Sequence, residues 1–586
     1  MELYICNSKS SSYFYKYANK KHKSFPSLPP LLTENNELVF DNLQKANIFN
    51  KFFQSIYTKD NGQTLNLPER TSPENSIYNF YITPEQITSA ITNLPRKASQ
   101  TPDKIPAILL KNIHPSINEF LTLLFNLSLQ TGKLPWQWKC SNITPIFKKG
   151  SKNSPQNYRP IALTSVICRV FEKIIHTNIL NHLLSNNLLS INQHGFLPRR
   201  STITQLLSAF NDWTQHFSNN KPVHVVYTDL SKAFDKVSHQ KLLEIVKSYG
   251  IRGEVYLWIE NFLCGRVQHV VIQQSRSEAL KVLSGVPQGS VLGPLLFLMF
   301  IDDLAKLSSN DSKICLFADD AKIYSSNQTN LQHTLDNVTS FFDSRQLSLA
   351  TDKCEQITFA KHYQPSSLTI GSTSLNNTKL IKDLGVFITS DLKWQHHIHL
   401  IKTRAMQKCY QILRSFNSKN IWILLKSFLT FVRPVLEYAS VIWSPNLIKD
   451  INALEAVQKY YTRRICRRCN LPFSSYSDRL HMLNLCSLEY RRLQTDLIMA
   501  FKITHNLVDI EADLFKLYCS PYPTRRHNYC LFVPKQTSKT RSSFFAERIT
   551  KIWNKLPPHF FIPDTLSSFC SKFKKFNLHK IAPLKF

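Results

Sequence analysis

The chain has 586 residues, and its 72 lysines and arginines against 40 aspartates and glutamates give a formal net charge of +32. Hydrophobic residues at 43% exclude wholesale disorder, and only 12 glycines exclude a collagen-like or linker-dominated chain. The length predicts roughly two to four domains. A strongly basic chain with enough apolar residues for a core is expected to bind a polyanion.

Three features predict an intracellular protein. The most apolar stretch, residues 421–443, is interrupted by charged residues, so no membrane span is expected. The first residues lack the basic start and apolar run of a signal peptide. The 13 cysteines are odd in number and scattered, which is typical of reduced thiols. We therefore expect the nucleus, the cytoplasm or both, and not secretion.

In chain order, residues 1–30 are rich in serine and lysine and predict a flexible lead-in. An amphipathic pattern resumes over residues 38–60, and Thr83 followed by Pro84 predicts a capped helix start. Helical periodicity recurs over residues 106–134 and 166–190. Apolar runs predict strands at residues 223–227, 267–272 and 314–317. Because strands and helices interleave, the fold class is α/β or α+β.

Beyond about residue 400 the helical pattern dominates and the basic charge is concentrated. Residues 401–586 hold 31 lysines and arginines and 11 aspartates and glutamates, a net of +20, which leaves +12 for residues 1–400. One cluster alone would suggest a solvated surface, but four beside aromatic residues favour nucleic-acid binding. These clusters are Arg463-Arg464 with Arg467-Arg468, Arg491-Arg492, Arg525-Arg526, and Lys572 with Lys574-Lys575.

Two acidic sites follow apolar runs that predict strands. Asp229 ends the first run, and 90 residues further on Asp319 and Asp320 stand between two apolar runs, as at the tip of a β-hairpin. A lone Asp-Asp pair is most often a polar turn. Adjacent carboxylates also repel and raise each other's pKa, which favours a cation beside them. Two Mg²⁺ ions on such carboxylates can hold a triphosphate and a 3′-hydroxyl in line for phosphoryl transfer.

The segment between these two sites favours the metal interpretation. Residues 284–294 form a turn rich in glycine and proline that leads into an apolar helix. Gln288 offers an amide for a base or sugar edge, and Gly289 allows close approach of the backbone.

The order and spacing of Tyr227-Thr228-Asp229, the turn at 284–289 and Phe317-Ala318-Asp319-Asp320 resemble the reverse transcriptase of non-LTR (LINE-type) retrotransposons. Further blocks extend the resemblance over about residues 35–560 and are similar to the jockey-like and chicken-repeat-like clades. These blocks are 144–150, 157–164, 193–201, 347–354, 382–386, 432–438, 476–480, 488–492 and 553–557. Lys104 and Ala350 depart from the glycine and asparagine more usual in the family.

The resemblance implies an α+β, right-hand polymerase fold with helical fingers, an antiparallel-sheet palm and a helical thumb. It implies an N-terminal extension over residues 1–82, fingers and palm over 83–390, a thumb over 391–470 and a basic, mainly helical nucleic-acid-binding region over 471–586. Residues 1–82 are too short for the endonuclease that usually begins such proteins, and no ribonuclease H pattern follows, so we expect the polymerase part alone.

The family's functional residues are implied at matching positions. Asp229, Asp319 and Asp320 would hold two Mg²⁺ ions, and Lys353 would be the general acid for pyrophosphate. Contacts with the incoming nucleotide are implied for Lys148, Lys149, Arg159, Leu230, Phe234, Gln288 and Gly289. Contacts with nucleic acid are implied for Arg199 and Arg200 on template phosphates and for Phe317 and Ala318 beside the primer terminus. The partners would be an RNA template, a DNA primer or target, and deoxynucleoside triphosphates.

Two alternatives to a reverse transcriptase stay open. One is another right-hand polymerase, either a viral RNA-directed RNA polymerase or an intron maturase; the aromatic Phe234 argues against the viral enzyme because it crowds a 2′-hydroxyl. The other is a catalytically inactive RNA-binding remnant, against which the intact carboxylates argue. The sequence predicts no oligomeric state.

Other side chains suggest chemistry only weakly. The spacing of Cys466, Cys469, His481 and Cys486 fits no common zinc finger, which argues against a metal site. His396, His397 and His399 are expected on the surface or in packing. Cys315 and Cys354 are expected to be small buried hydrophobic residues.

Overall fold

A computed structural model describes most of the chain. The described residues are 1–7, 13–14, 17, 28–33, 35–65, 67–95, 101–309, 311–361, 367–472, 474–510, 513–518, 529–533, 538–562, 564–573 and 576–586. The predicted basic clusters at Arg525-Arg526 and Lys574-Lys575 lie outside these ranges.

Helices make up the larger part of the described secondary structure. Those before residue 395 are α1 Glu2–Asn7, α2 Asn42–Ser55, α3 Pro84–Thr92, α4 Ala107–Thr131, α5 Val166–Ser185, α6 Thr202–Ser218, α7 Ala233–Lys236, α8 His239–Ser248, α9 Gly253–Leu263, α10 Gly293–Ile301 and α11 Gln328–Ser344. The later ones are α12 Gln395–Ser415, α13 Ile421–Ser427, α14 Arg433–Glu437, α15 Ser440–Trp443, α16 Ile448–Arg468, α17 Tyr476–Met482, α18 Leu488–Thr504, α19 Lys539–Ser543, α20 Phe545–Trp553 and α21 Leu566–Lys572.

The strands lie before the later helices. They are β1 Leu31–Leu32, β2 Leu38–Val39, β3 Cys140–Phe147, β4 Tyr158–Leu163, β5 Val223–Thr228, β6 Val267–Ile272, β7 Ser275–Arg276, β8 Leu280–Lys281, β9 Ser312–Phe317, β10 Asp320–Ser325, β11 Glu355–Phe359, β12 Thr369–Ile370, β13 Thr373–Ser374, β14 Asn376–Asn377, β15 Leu380–Asp383 and β16 Val386–Thr389. The three predicted strands are thus confirmed, and Thr83 caps α3, which begins at Pro84 as predicted.

The central sheet has the strand order β14-β11-β5-β10-β9. The pairs β11–β5, β5–β10 and β10–β9 are antiparallel, whereas β14 pairs in parallel with β11. A second sheet, β4-β3-β6-β7 with β8 beside β6, takes up the predicted strand at 267–272. Strands β15 and β16 form a separate two-stranded sheet.

Both faces of the central sheet are buried, which explains the near-continuous apolar run in β5. Val225 belongs to a core shared with the later helices, whereas Val226, on the opposite face, belongs to a core shared with α3 to α5 and α8 to α10. Successive side chains of a strand point to opposite faces, so the alternation follows from strand geometry.

Residues 2–7 do not form the predicted flexible lead-in, and most of residues 8–27 lie outside the described part of the chain. Glu2–Asn7 is a helix whose Ile5 and Cys6 are buried in the core of the later helices. The Glu2 carboxylate accepts hydrogen bonds from the backbone N–H groups of Asn417 and Ser418. The prediction for this segment is wrong because its few apolar residues are too short a run to show a period, yet they pack against a distant helix.

The later helices share their core with the central sheet. Phe545, Trp553 and Phe569 are fully buried and belong to the same apolar cluster as Val225. Arg541 donates to the Asn211 carbonyl and to the Thr214 hydroxyl on α6. The boundary at residue 470 stays a prediction, and the segment beyond it packs as part of the same body. None of the described helices is long and apolar enough to cross a membrane.

Candidate active site

The predicted carboxylates meet at one edge of the central sheet. Asp229 directly follows β5, whose Thr228 lies opposite Ala321 of β10. Phe317 and Asp320 close the β9–β10 hairpin, and Ala318 in its turn has a positive φ of 55°. The hairpin tip predicted from the sequence is therefore present, and it lies beside the end of β5.

Burial and repulsion by neighbouring carboxylates raise the pKa of two of the three, Asp319 and Asp320. Burial raises the pKa of Asp319, and the Asp229 charge raises it further. Burial and the charges of Asp319, Asp229 and Asp383 raise the pKa of Asp320 to about 6. Three carboxylates whose charges oppose one another supply the oxygen ligands that a divalent cation prefers.

The carboxylates are close but do not form a closed ligand cluster. Across the part of the chain that the structure describes, no three His, Cys, Asp or Glu side chains are gathered so that they could hold a metal ion. The Asp229 carboxylate instead faces Lys353, whose Nζ lies 3.2 Å from Asp229 Oδ2. The donor types fit a metal, and the expected metal triad and the role of Lys353 stay predictions.

The backbone around Asp229 is held by the segment before Lys353. The Ala350 N–H donates to the Asp229 carbonyl at 2.8 Å, and Leu230 forms an antiparallel bridge with Leu349. Ala350, at the position where asparagine is more usual, contributes this bond through its backbone, so the departure leaves the contact intact.

The basic residues expected on the nucleotide lie on the β3–β4 hairpin. Arg159 is opposite Ile146 in the strand register, and the Lys148 N–H donates to Asn157 across the hairpin end. The charges of Arg159 and Lys148 act to lower the pKa of Asp319, so both face the carboxylates. Lys149 is also exposed in this hairpin.

The turn at 284–289 packs against α7 and β4. The side-chain amide of Gln288 donates to Asp235 Oδ1 at 2.8 Å, and the backbone carbonyl of Gln288 accepts from the Ala162 N–H at 2.8 Å. Gly289 has a φ of 136°, and a Cβ there would lie 2.2 Å from the Ala162 carbonyl oxygen. Gly289 therefore permits the close approach expected from the sequence, while the Gln288 side chain is held by a carboxylate that the sequence reasoning missed.

That carboxylate, Asp235, lies next to Phe234. Burial raises the pKa of Asp235 to about 6, against the opposing effects of the Gln288 hydrogen bond and the Lys232 charge. The half-buried Phe234 ring stacks on Phe297, with ring centroids 4.2 Å apart. The role of Phe234 toward the sugar stays a prediction.

The two arginines expected on template phosphates have protein partners. Arg200 donates to the carbonyls of Ser190 at 2.6 Å and Gln193 at 2.7 Å, and its side chain is only 10% exposed. Arg199 is 52% exposed and forms an ion pair with Asp509 at 3.1 Å. These contacts favour a structural role for Arg200, whereas Arg199 has an accessible guanidinium.

Of the cysteines and histidines singled out in the sequence, Cys354 directly follows Lys353 and interacts with Asp229. Cys466 is buried and Cys486 is exposed. Cys315 and Cys354 are buried, as expected. His397 is buried, whereas His396 and His399 are exposed.

Sequence reasoning also missed residues that support the carboxylates. Gln193 Oε1 accepts from the N–H of Ala318 at 3.0 Å and from that of Gly195 at 2.8 Å. Lys322 of β10 forms an ion pair with Asp383 of β15. Gln193 and Asp383 lie in blocks that resemble the family, but nothing in the sequence pairs them with the β9–β10 hairpin.

Residues 146–411 match the protein family described as "Reverse transcriptase (RNA-dependent DNA polymerase)". This range contains the central sheet, all three carboxylates and most of the β3–β4 hairpin. Residues 146–411 therefore match a reverse transcriptase domain, and their fold is the right-hand polymerase fold with the antiparallel β11-β5-β10-β9 sheet as its palm.

Two of the similar proteins come from mobile elements of Drosophila melanogaster. The probable RNA-directed DNA polymerase from transposon BS is 28% identical over 78% of this chain and 53% of that protein. The RNA-directed DNA polymerase from mobile element jockey is 24% identical over 66% of this chain and 44% of that protein. The resemblance to the reverse transcriptases of non-LTR retrotransposons is thus confirmed, and the chain spans about half the length of these curated relatives.

Among solved structures, a telomerase from Candida Tropicalis with a telomeric RNA fragment aligns with 68% of this chain and 66% of that chain, at 11% identity and a TM-score of 0.35. The corresponding telomerase from Candida albicans aligns with 67% of this chain and 68% of that chain, at 12% identity and a TM-score of 0.34.

Proposed function

We propose that this chain is an RNA-directed DNA polymerase that copies a retroelement RNA by adding deoxynucleotides to a primer 3′-hydroxyl. The observation that carries the proposal is the set of carboxylates Asp229, Asp319 and Asp320 on two paired palm strands inside the reverse transcriptase domain. The RNA template, the DNA primer or target and the deoxynucleoside triphosphates are proposed as its partners.

Reverse transcriptase domains generally use divalent metal ions, and we propose Mg²⁺ for this chain. Asp229, Asp319 and Asp320 would hold two ions, with the backbone at Leu230 assisting. The carboxylates fit this role because burial and their mutual repulsion raise the pKa of Asp319 and Asp320, a strain that a cation relieves. Bound ions would neutralise the triphosphate and lower the pKa of the attacking hydroxyl.

The other residues would orient the substrates and move a proton. Lys148, Lys149 and Arg159 would bind the triphosphate, since the charges of Lys148 and Arg159 already act on Asp319. Lys353, 3.2 Å from Asp229, would give a proton from Nζ to the departing pyrophosphate. Phe234 would exclude a 2′-hydroxyl, and Gln288 and Gly289 would line the templating pocket. Phe317 and Ala318 would lie beside the primer terminus. Arg199, whose guanidinium is accessible, would lie beside the template, and Arg200 would hold the neighbouring backbone through the Ser190 and Gln193 carbonyls.

Primer extension on an RNA template, with deoxynucleotides and Mg²⁺, tests the proposal. We expect Asp229→Asn and Asp319→Asn each to lower the extension rate by at least about 100-fold, because the lost charge stabilises the transition state. RNA affinity should stay near the wild-type value, since these carboxylates do not bind the template. Asp352→Asn removes an exposed carboxylate next to Lys353 and is the matched control, which should extend normally.

Extension by either aspartate variant at the wild-type rate would contradict the assignment of the carboxylates. A wild-type protein that binds RNA tightly but never extends a primer would support the inactive-remnant alternative instead.

A further inference from the structure

A buried ion pair lies directly beside the proposed catalytic carboxylates. Lys322 Nζ is 2.7 Å from Asp383 Oδ2, and the two side chains are only 2% and 5% exposed. The Tyr227 hydroxyl donates to the same Asp383 oxygen at 3.0 Å. The Lys322 ammonium also lies 5.4 Å from the centroid of the fully buried Trp213 ring. Asp383 is therefore bound by two groups from the palm sheet.

These two groups belong to the strands that carry the carboxylates. Lys322 comes two residues after Asp320 on β10, and Tyr227 comes two residues before Asp229 on β5. Alternate residues of a strand share a face, so each partner points to the same side as the neighbouring carboxylate. Lys322 and Tyr227 are also opposite each other in the strand register.

Asp383 itself comes from a different sheet. It ends β15, and the β15–β16 hairpin pairs only with itself among the described strands. The chain just before β15 is held to the palm by its backbone, since the Thr378 N–H donates to the Gln356 carbonyl of β11 at 2.8 Å. Beyond this point the contact of the hairpin with the palm depends on side chains. The turn of this hairpin is held from the other side, where the Tyr438 hydroxyl donates to the Leu384 carbonyl at 2.8 Å.

The hairpin and the carboxylates enclose a common space. A cavity of about 200 Å³ is lined by Asp229 and Asp320 on one side and by Asp383 and Leu384 on the other. A shift of the hairpin would change the shape of this cavity at the carboxylates.

We propose that the Lys322–Asp383 ion pair, with Tyr227, is a positioning device that holds the β15–β16 hairpin against the palm and so fixes the shape of the cavity at Asp229 and Asp320. The effect on the active site rests on the proposed polymerase function. The docking of the hairpin is a structural statement that can be tested without activity.

The chemistry of the pair favours positioning over stability. Burying two charges costs solvation free energy that their attraction often fails to repay, so an apolar pair would stabilise the contact at least as well. An apolar contact tolerates sliding, whereas a charged pair with a shared tyrosine hydrogen bond is satisfied in one arrangement.

The first experiment measures hydrogen exchange of the backbone amides in Asp383→Leu and in the double variant Lys322→Met/Asp383→Leu. We expect residues 380–389 to lose at least tenfold protection in Asp383→Leu, while residues 223–228 keep theirs. The double variant removes the orphaned charge but still lacks the ion pair, so it should recover part of the loss and stay below wild-type protection. Full recovery would show that only the orphaned charge matters. Unchanged protection of residues 380–389 in Asp383→Leu would overturn the proposal.

The second experiment measures primer extension with varied primer–template concentration. We expect Asp383→Leu to raise the KM for primer–template at least tenfold. The KM increase in the double variant should be smaller than the product of the increases in Asp383→Leu and in Lys322→Met. Arg345→Met is the matched control, because Arg345 is a buried cation paired with Asp303 at 3.0 Å and does not line the cavity. A similar KM increase in Arg345→Met, or strictly multiplicative single effects, would overturn the positioning role.

The two experiments separate the inference from the proposed function. A wild-type protein that fails to extend primers counts against the polymerase proposal, and the exchange measurement then decides the docking of the hairpin by itself.

Discussion

The Phe234 side chain lies five residues after Asp229, and its half-buried ring stacks on Phe297. Two roles are possible for this ring: it either packs under the incoming sugar or is only part of the apolar core. A wall without a hydrogen-bond partner leaves a 2′-hydroxyl desolvated at a cost of about 1–3 kcal/mol, which corresponds to about 5- to 150-fold discrimination.

We therefore expect Phe234→Val to raise ribonucleotide incorporation relative to deoxynucleotide by at least about tenfold, with a modest loss of rate. Steady-state incorporation of the two nucleotide types measures this ratio. Phe297→Leu is the control, because it removes the stacking partner but keeps the Phe234 ring. An equal loss of selectivity for deoxynucleotides in both variants would show that core packing, and not contact of the Phe234 ring with the sugar, determines sugar choice.

At the scale of elements, residues 192–195 extend the palm beyond β9. The His194 N–H donates to the Leu316 carbonyl at 2.8 Å, and the Leu316 N–H donates to the Asn192 carbonyl at 2.9 Å. The fully buried Gln193 side chain then reaches the turn of the β9–β10 hairpin. This short segment therefore supports the backbone that presents Asp319.

Gln193→Ala should leave the N–H groups of Ala318 and Gly195 without an acceptor and lower the free energy of unfolding by about 2–4 kcal/mol. We also expect a kcat for extension lowered at least tenfold, because the turn loses its fixed conformation. The control is Asn126→Ala. The buried Asn126 side chain accepts a hydrogen bond from the Ile82 N–H at 2.9 Å, and it is distant in sequence from the β9–β10 turn. Equal kcat losses in the two variants would mean that only stability is affected.

The contact between α12 and the β15–β16 hairpin is expected to weaken in acid. His397 Nδ1 accepts from the Phe387 N–H, and burial, with the charges of Arg404 and His396, lowers the pKa of His397 to about 4. Because the folded pKa lies below the unfolded value of 6.5, the stability that neutral His397 contributes is present above about pH 6.5 and is lost as the pH falls toward 4.

Wild-type protein should therefore lose up to about 1.4 kcal/mol of unfolding free energy per pH unit more than His397→Gln over this window. Urea unfolding of both proteins at several pH values measures the difference. Parallel pH profiles would show that His397 does not titrate as the burial implies.

At the scale of the whole molecule, part of the basic C-terminal charge is structural. Arg491 is paired with Glu437, and Arg492 is buried. Lys572 donates to the carbonyls of His559 and Phe560. Deleting residues 471–586 would also remove Trp553 from the core shared with the palm, so truncation would confuse binding with folding.

The exposed side chains of Arg463, Arg464 and Arg467 on α16 are the better test of nucleic-acid binding. Replacing all three with glutamine should weaken RNA binding and reduce the slope of log K against log salt by about 2, because fewer counterions are released. Fluorescence titrations at several salt concentrations measure the slope. The control is a triple variant with Lys133→Gln, Lys173→Gln and Lys247→Gln, which removes the same charge at exposed positions before residue 250. An equally large change of the salt slope in this control would indicate a non-specific effect of net charge.

The sequence by itself determined the features that are local in the chain. The run before Asp229 predicts a strand because apolar residues continue through it, and the Asp319-Asp320 hairpin is a turn between two adjacent runs. The motif order then identified the reverse transcriptase domain. Each of these signals depends on neighbouring residues, so a single sequence carries it.

Only the tertiary structure decided which distant side chains meet. Gln193 and Ala318 are 125 residues apart, and Lys322 and Asp383 are 61 residues apart. Helix α1 packs on α13, and the C-terminal aromatic residues share the palm core. These contacts arise when complete helices and strands pack against one another. A single buried partner leaves no periodic pattern in the sequence, so the sequence does not predict it.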